Sequence, residues 1–259
     1  MLLFYFLIFI LGLAIGSFLN CVIYRLEKKE SFLKGRSYCP NCKHKLSWKD
    51  LIPIFSFFEL QGKCRYCKKP ISFQYPLVEL ATGILFVSIF NIAFPNLLLS
   101  IFYFLISSFL IIIFVYDLRY YIIPDEVIYP AIIITLIFNS QFLIFNQDSI
   151  FKSSILSAFG ASLFFLVIFL ISKGKWLGFG DVKLALFMGL FLGFPNILVA
   201  LFLAFFIGAI IGIGLILAKK KGLKSEVPFG PFLVTGTFIA LFWGNQIINW
   251  YLNLFQISF

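Results

Sequence analysis

Acidic side chains are scarce in this chain of 259 residues. Asp and Glu together number 11, histidine occurs once, and charged residues of all kinds make up 12%. A soluble domain carries roughly 25% charge and about 45–50% apolar residues. Here the hydrophobic fraction is 61% and the mean hydropathy is +1.02. The shortage of charge excludes an ordinary water-soluble globule, and the apolar surplus excludes a disordered chain, which needs low hydrophobicity. No basic stretch precedes the first apolar run, so residues 2–24 are not expected to be a cleaved signal peptide. There is no low-complexity linker. The single histidine, His44, lies in the cysteine-bearing insert and away from the acids of the apolar runs, so Ser/His/Asp hydrolysis is not expected.

What the chain has instead is apolar runs of helical length, near 2–24, 77–94, 97–116, 126–145, 150–171, 182–194, 196–218 and 229–251. At 1.5 Å per residue most can cross a hydrocarbon core of about 30 Å. The run at 182–194 is the short one. The expectation is an all-α polytopic membrane protein of about eight transmembrane helices. It divides into a first transmembrane helix (1–24), a basic insert (25–75) and a transmembrane bundle (76–259).

Positive charge is very unevenly placed. Twelve Lys and Arg stand against four acids between Arg25 and Tyr75, and Lys219, Lys220, Lys221 and Lys224 form the next cluster. If the insert is cytosolic and eight spans alternate, the turns near 116–125, 172–181 and 219–228 also face the cytosol. The turns near Pro95, Asn146–Ser149 and Pro195 face outward and hold almost no positive charge, with Lys152 marginal. That is the positive-inside pattern, and it puts both termini outside. The same charge attracts anionic membrane lipids, so lipids are expected partners and nucleic acid is not.

Four of the five cysteines sit in the insert, as Cys39-Pro-Asn-Cys42 and Cys64-Arg-Tyr-Cys67, with twenty-one residues between the pairs. That spacing is close to a four-thiolate zinc ribbon. A cytosolic insert keeps its thiols reduced, which favours metal over disulfide. A segment of about fifty residues rarely folds without such a staple. A structural zinc on Cys39, Cys42, Cys64 and Cys67 is therefore expected. His44 reads as an exposed polar residue, because four thiolates already close a tetrahedral site, and Cys21 as helix packing.

Three carboxylates lie at apolar-run ends: Asp117, Asp125 and Asp181. Intramembrane acids are costly and point to function. Asp125 follows Pro124 and precedes a helix, so an N-cap role fits. Asp181 opens a run behind Gly178 and Gly180, and helix capping is open to it also. Asp117 ends its run, where the helix dipole disfavours negative charge. Counted along straight helices, Asp117 lies about 31 Å and Asp181 about 20 Å from the outer edge. Helix tilt can close the gap and bring them together. Two carboxylates in one site share a proton, and can then polarise a carbonyl and activate water together. A two-aspartate membrane protease and a transporter with intramembrane acids both remain open on these residues.

The chain resembles the prepilin peptidases, type IV prepilin leader peptidases of the membrane-embedded GxGD aspartic class. The resemblance covers nearly the whole length. It rests on Gly16-Ser-Phe-Leu-Asn20 with Arg25, Gly35-Arg-Ser-Tyr-Cys-Pro-Asn-Cys42, Gly62-Lys-Cys-Arg-Tyr-Cys67, and Tyr75-Pro-Leu-Val-Glu79. It continues in Asp117 with Ile123-Pro124-Asp125, in Gly178-Phe-Gly-Asp181-Val-Lys183, and in Pro228-Phe-Gly-Pro-Phe232. It implies a multi-pass protein of a bacterial inner membrane that cleaves the leader from prepilins or pseudopilins after a glycine at the cytosolic face. It also implies N-methylation of the new N-terminal residue by S-adenosylmethionine, a catalytic pair at Asp117 and Asp181, zinc on the four cysteines, and a supporting role for Asp125.

Overall fold

The structure is a computed structural model that describes residues 1–31, 35–144, 148–218 and 227–254. As expected, it is helical: among the described residues there is no strand, only two isolated bridges, Tyr38 with Lys45 and Lys63 with Pro70. The helices are α1 (Leu2–Lys28), the short α2 (Phe55–Glu59), α3 (Gln74–Ala93), α4 (Leu97–Tyr120), α5 (Asp125–Ile144), α6 (Asp148–Ser172), α7 (Phe179–Leu192), α8 (Asn196–Leu217) and α9 (Gly230–Leu254). Six of them, α1, α3, α4, α6, α8 and α9, are long and apolar enough to cross a membrane. The other two expected runs became α5 and α7. At 14 residues, α7 spans about 21 Å. The lysine cluster at 219–224 lies outside the described residues, as does part of the turn expected at 146–149.

The chain forms two compact units, Met1–Ile112 and Ile113–Phe259. In the first, α1 and α3 run antiparallel in close contact. A Cβ on Gly12 would fall 2.7 Å from the Cα of Gly83, and one on Gly16 would fall 2.7 Å from the Cα of Glu79. Without a hydrophobic force between lipid-soaked helices, such close backbone approach is what holds them. Asn20 seals the pair from the α1 side. Its Nδ2 donates to the Tyr75 carbonyl at 3.1 Å, and its Oδ1 accepts from Gln74 at 3.2 Å. Five residues on, the buried Arg25 donates to the carbonyls of Ser31 and Arg36 at 2.9 and 3.1 Å, which ties the start of the insert to the helix. α1 runs to Lys28, four residues past the apolar run. It ends in a left-handed Lys29, and Glu30 N–H returns to the Arg25 carbonyl, a Schellman-type stop.

In the second unit α7 is the central helix, packed against α5, α6, α8 and α9. It is apolar nearly all round, as a helix surrounded by others must be, with Val182, Leu184, Ala185, Phe187, Met188 and Leu190 buried. α8, by contrast, buries only Ile197, Ala200 and Ala204 and leaves the rest to its surroundings. α7 begins three residues before the expected run, so Asp181 lies within its first turn and not ahead of it.

Candidate active site and metal cluster

Asp117 stands in the last turn of α4 and is 4% exposed. A carboxylate there faces the carbonyl end of its own helix, so it needs a donor from elsewhere. The donor is the backbone of another helix: Gly230 N–H, at the start of α9, donates to Asp117 Oδ2 at 2.9 Å. The first N–H groups of a helix have no partner within it, so the bond satisfies both. A Cβ at residue 230 would sit 2.5 Å from that oxygen, and only glycine lets α9 start so close.

Asp181 is 8% exposed and occupies the third position of α7. Its Oδ2 accepts the Gly178 N–H at 3.0 Å. This is the acidic half of a capping box; glycine has no side chain to return the second bond. The helix-capping reading of Asp181 therefore holds in part, but a cap belongs on a wet helix end and this carboxylate is buried. The two acids are close enough for the charge of Asp117 to act on Asp181. Helix packing thus brings together two carboxylates that the straight-helix count set about 10 Å apart in depth.

Asp125 is placed differently. It is the first residue of α5, with Pro124 at the cap position, and it does not cap the helix: its carboxylate is 55% exposed and pairs with Lys183 Nζ at 2.6 Å. Lys183 lies over the rings of Tyr129 and Phe179, 5.0 and 5.2 Å from their centroids. Two residues are about 200° on a helix, so Lys183 leaves α7 on the side opposite Asp181. The first turn of α7 is gripped on both sides. Ile123 packs against Gly180, where an added Cβ would meet the isoleucine Cβ at 3.0 Å. Sequence reasoning quoted Lys183 and Gly230 within motifs but gave them no role. The partner of Gly230 is 113 residues away, and no local spacing signals it.

The four insert cysteines converge as well. Their sulfur atoms all lie within 4.8 Å of one another, and Cys39 Sγ is 3.9 Å from Cys67 Sγ. A tetrahedral ion with Zn–S bonds of about 2.3 Å needs sulfurs about 3.8 Å apart, so the donor set fits a four-thiolate metal. Each C-x-x-C pair builds the same knuckle. Cys39 N–H donates to the His44 carbonyl and Lys43 N–H to the Cys39 carbonyl, while Cys64 N–H donates to the Lys69 carbonyl and Lys68 N–H to the Cys64 carbonyl. Lys43 and Lys68 are both left-handed, with φ of 59° and 60°. Burial alone would raise the Cys39 thiol, but N–H donors of Cys42 and Asn41 bring it down to about 7. The Lys69 N–H draws the Cys67 thiol down, yet desolvation and S–H sharing with its three neighbours raise it to about 11. His44 is exposed and stacks on Tyr66, with centroids 3.7 Å apart. Behind the second knuckle, Arg65 donates to Asp50 Oδ1 at 2.7 Å, and Ser47 and Tyr66 hold the other oxygen.

Residues 10–93 match the pattern of the bacterial peptidase A24 N-terminal domain, and residues 104–213 that of the type IV leader peptidase family. Asp117, Asp125 and Asp181 all fall in the second match. The chain is similar to the prepilin leader peptidase/N-methyltransferase of Aeromonas hydrophila, 33% identical over 98% of this chain and 95% of the relative. It is similar to those of Bacillus subtilis (33%; 96% and 98%) and Legionella pneumophila (30%; 96% and 94%). No solved structure matches it.

Proposed function

We propose that this chain, which belongs to the type IV leader peptidase family, cleaves the leader from type IV prepilins or pseudopilins with the Asp117 and Asp181 carboxyl groups, and N-methylates the residue exposed by the cut. The observation that carries the reading is that two buried carboxylates from separate helices, within reach of one another's charge, are each held by the N–H of a glycine at a helix start. A transporter role for the same acids draws no support from the relatives.

The chemistry follows from the pair. One carboxylate, ionised, takes a proton from water as the water oxygen attacks the scissile carbonyl carbon. The other, protonated, gives its proton to the carbonyl oxygen. Collapse of the tetrahedral intermediate breaks the C–N bond, and the proton taken from water passes to the leaving nitrogen. The Gly178 and Gly230 N–H groups keep one oxygen of each carboxylate fixed, so the remaining oxygens stay aimed at the substrate. The absence of a side chain at Gly178 leaves room for an extended substrate strand beside Asp181, whereas the space at Gly180 is taken by Ile123. The charge pattern supports a cytosolic insert, outward termini and a cut at the cytosolic face of a bacterial inner membrane. There a prepilin with an inserted apolar helix would keep its basic leader.

Cys39, Cys42, Cys64 and Cys67 would hold a structural zinc that staples the insert. The methyl group would come from S-adenosylmethionine. The insert has no glycine-rich nucleotide loop, and none of the described residues is assigned to that donor. The test is co-expression with a prepilin carrying a basic leader, a glycine and a phenylalanine-led apolar helix, with its N-terminus read by mass spectrometry. The expected product is shortened to the phenylalanine and heavier by one methyl group. An intact leader would overturn the peptidase reading, and a cut but unmethylated product the second activity alone.

A further inference from the structure

Four large aromatic side chains stand out from the insert and its junction with α3. Trp48 is 71% exposed, Phe55 62%, Phe58 71% and Phe73 72%. Such a patch on a small polar domain marks an interaction surface.

Its depth is fixed by the helices beside it. Asn20 of α1 is level with Tyr75 of α3, and Gly16 is level with Glu79. The apolar run of α1 gives way to Tyr24 and Arg25, so the bilayer edge falls within about a turn of Asn20. Glu79 lies four residues, about 6 Å, farther along α3 than Tyr75, toward the bilayer interior. The buried Glu79 carboxylate accepts the Ile54 N–H at 2.7 Å. That bond draws the loop before α2 down beside the second turn of α3. α2 is consequently seated at the boundary between headgroups and acyl chains, with Phe55 and Phe58, three apart, on one side of it. Phe57 packs on Phe73 at 5.3 Å and joins this side to the start of α3. The insert that carries the rings is basic overall, with twelve Lys and Arg against four acids. Lys49 lies 5.6 Å from the Trp48 ring centre, and Lys63, Lys68 and Lys69 are exposed. Aromatic rings at membrane–water interfaces with cations above them suit an anionic lipid surface.

We propose that Trp48, Phe55, Phe58 and Phe73 are an interfacial anchor that seats the cysteine-bearing insert in the headgroup layer of an anionic bilayer. The anchor is independent of the peptidase reading. It gives a role to Glu79, a costly buried acid: its bond to the Ile54 N–H holds the anchor at its depth.

The experiment uses the full chain with Trp176, Trp243 and Trp250 changed to Phe, so that Trp48 alone emits. The protein is reconstituted in phosphatidylcholine/phosphatidylglycerol vesicles with bromine at shallow or deep acyl positions. Trp48 emission should be quenched more by shallow than by deep bromine, be shielded from acrylamide, and lose part of its quenching when phosphatidylglycerol is left out. Phe55→Trp in the same background with Trp48→Phe should behave alike, and serves as the probe if the first variant fails to fold. Acrylamide access without bromolipid quenching would overturn the anchor. Shielding from both would also overturn it, because a protein surface would then cover the rings. Equal quenching without phosphatidylglycerol would overturn the anionic preference.

Discussion

Cys39 and Cys42 meet Cys64 and Cys67 within one short insert, each pair on a knuckle of the same backbone design. Asp117 and Asp181, from α4 and α7 and sixty-four positions apart, lie within reach of one another's charge, and each relies on a glycine N–H at the start of a helix. The thiols carry their geometry with them, since C-x-x-C and a left-handed residue after it are enough to aim two sulfurs at one point. The carboxylates carry none. Their arrangement is a property of how α4, α7 and α9 end against one another. The first cluster should therefore be robust to changes in helix packing, whereas the second should be sensitive to them as well as to loss of either acid.

The largest effect expected is from the acids themselves. Asp117→Asn and Asp181→Asn should each reduce prepilin cleavage by about 10²–10⁴-fold, because neither proton-transfer role can be taken by the other residue. Both variants should still accumulate in the membrane. Cleavage by the unaltered protein should rise and then fall with pH, with limbs that belong to the pair. Near-normal cutting by either variant in a purified assay would dissolve the pair as a catalytic unit.

Gly230→Ala tests the packing side of the comparison. Its methyl group would collide with the Asp117 carboxylate. A displacement of about 1 Å is enough to cost on the order of 100-fold in rate. The loss should appear in kcat more than in KM, with metal content unchanged.

Cys39→Ser/Cys64→Ser is the complement. Elemental analysis should find about one zinc per chain in the unaltered protein and none in the variant, and limited proteolysis should cut the insert. Brief chelation that leaves the insert folded should leave cleavage intact, because two carboxylates without Cys or His make a poor zinc site. Activity that fell in strict proportion to zinc while the insert stayed folded would transfer the chemistry from the acids to the metal.

Smaller effects are expected at the two ion pairs. Asp125→Asn and Lys183→Met should each slow cleavage only severalfold, since a partly exposed pair contributes about 1 kcal/mol or less. Lys183→Arg should restore most of the rate. If Asp125→Asn matched Asp181→Asn in severity, Asp125 would have to join Asp117 and Asp181 in the proposed catalytic set. In the insert, burial by itself would raise the Asp50 carboxyl, but Arg65, Ser47 and Tyr66 hold it down to about 2. A depressed carboxyl contributes fully above its unfolded value, near 3.8, and loses that contribution as pH falls toward 2. Asp50→Asn should therefore weaken protease resistance of the insert by the same margin at pH 6 and pH 8. A margin that changed between those values would mean another group titrates against Arg65.

Much of this molecule is legible in the residues because its constraints are local. Each of the eight apolar runs became a helix, since an uninterrupted apolar stretch in lipid must satisfy its backbone internally. The cysteine spacing named the cluster for a similar reason, as two knuckles need only their own loops. Asp117 was conspicuous in the sequence because a carboxylate at a helix C-terminus has no favourable partner in its own helix. Asp181 was less so, being three residues into a helix whose start the apolar pattern placed too late.

Tertiary structure decided the rest. It alone supplied Gly230 as the donor to Asp117, Lys183 as the partner of Asp125, and Glu79 as the group that holds Ile54. Each of these bonds joins segments at least 25 residues apart. Periodicity tells which face of a helix is apolar, but in lipid nearly every face is, so the pattern carries no record of which helices meet or at what depth. That record lies in where small residues allow backbones to touch, as Gly12 and Gly16 do with α3, and touching is a relation between two places in the chain that neither specifies alone.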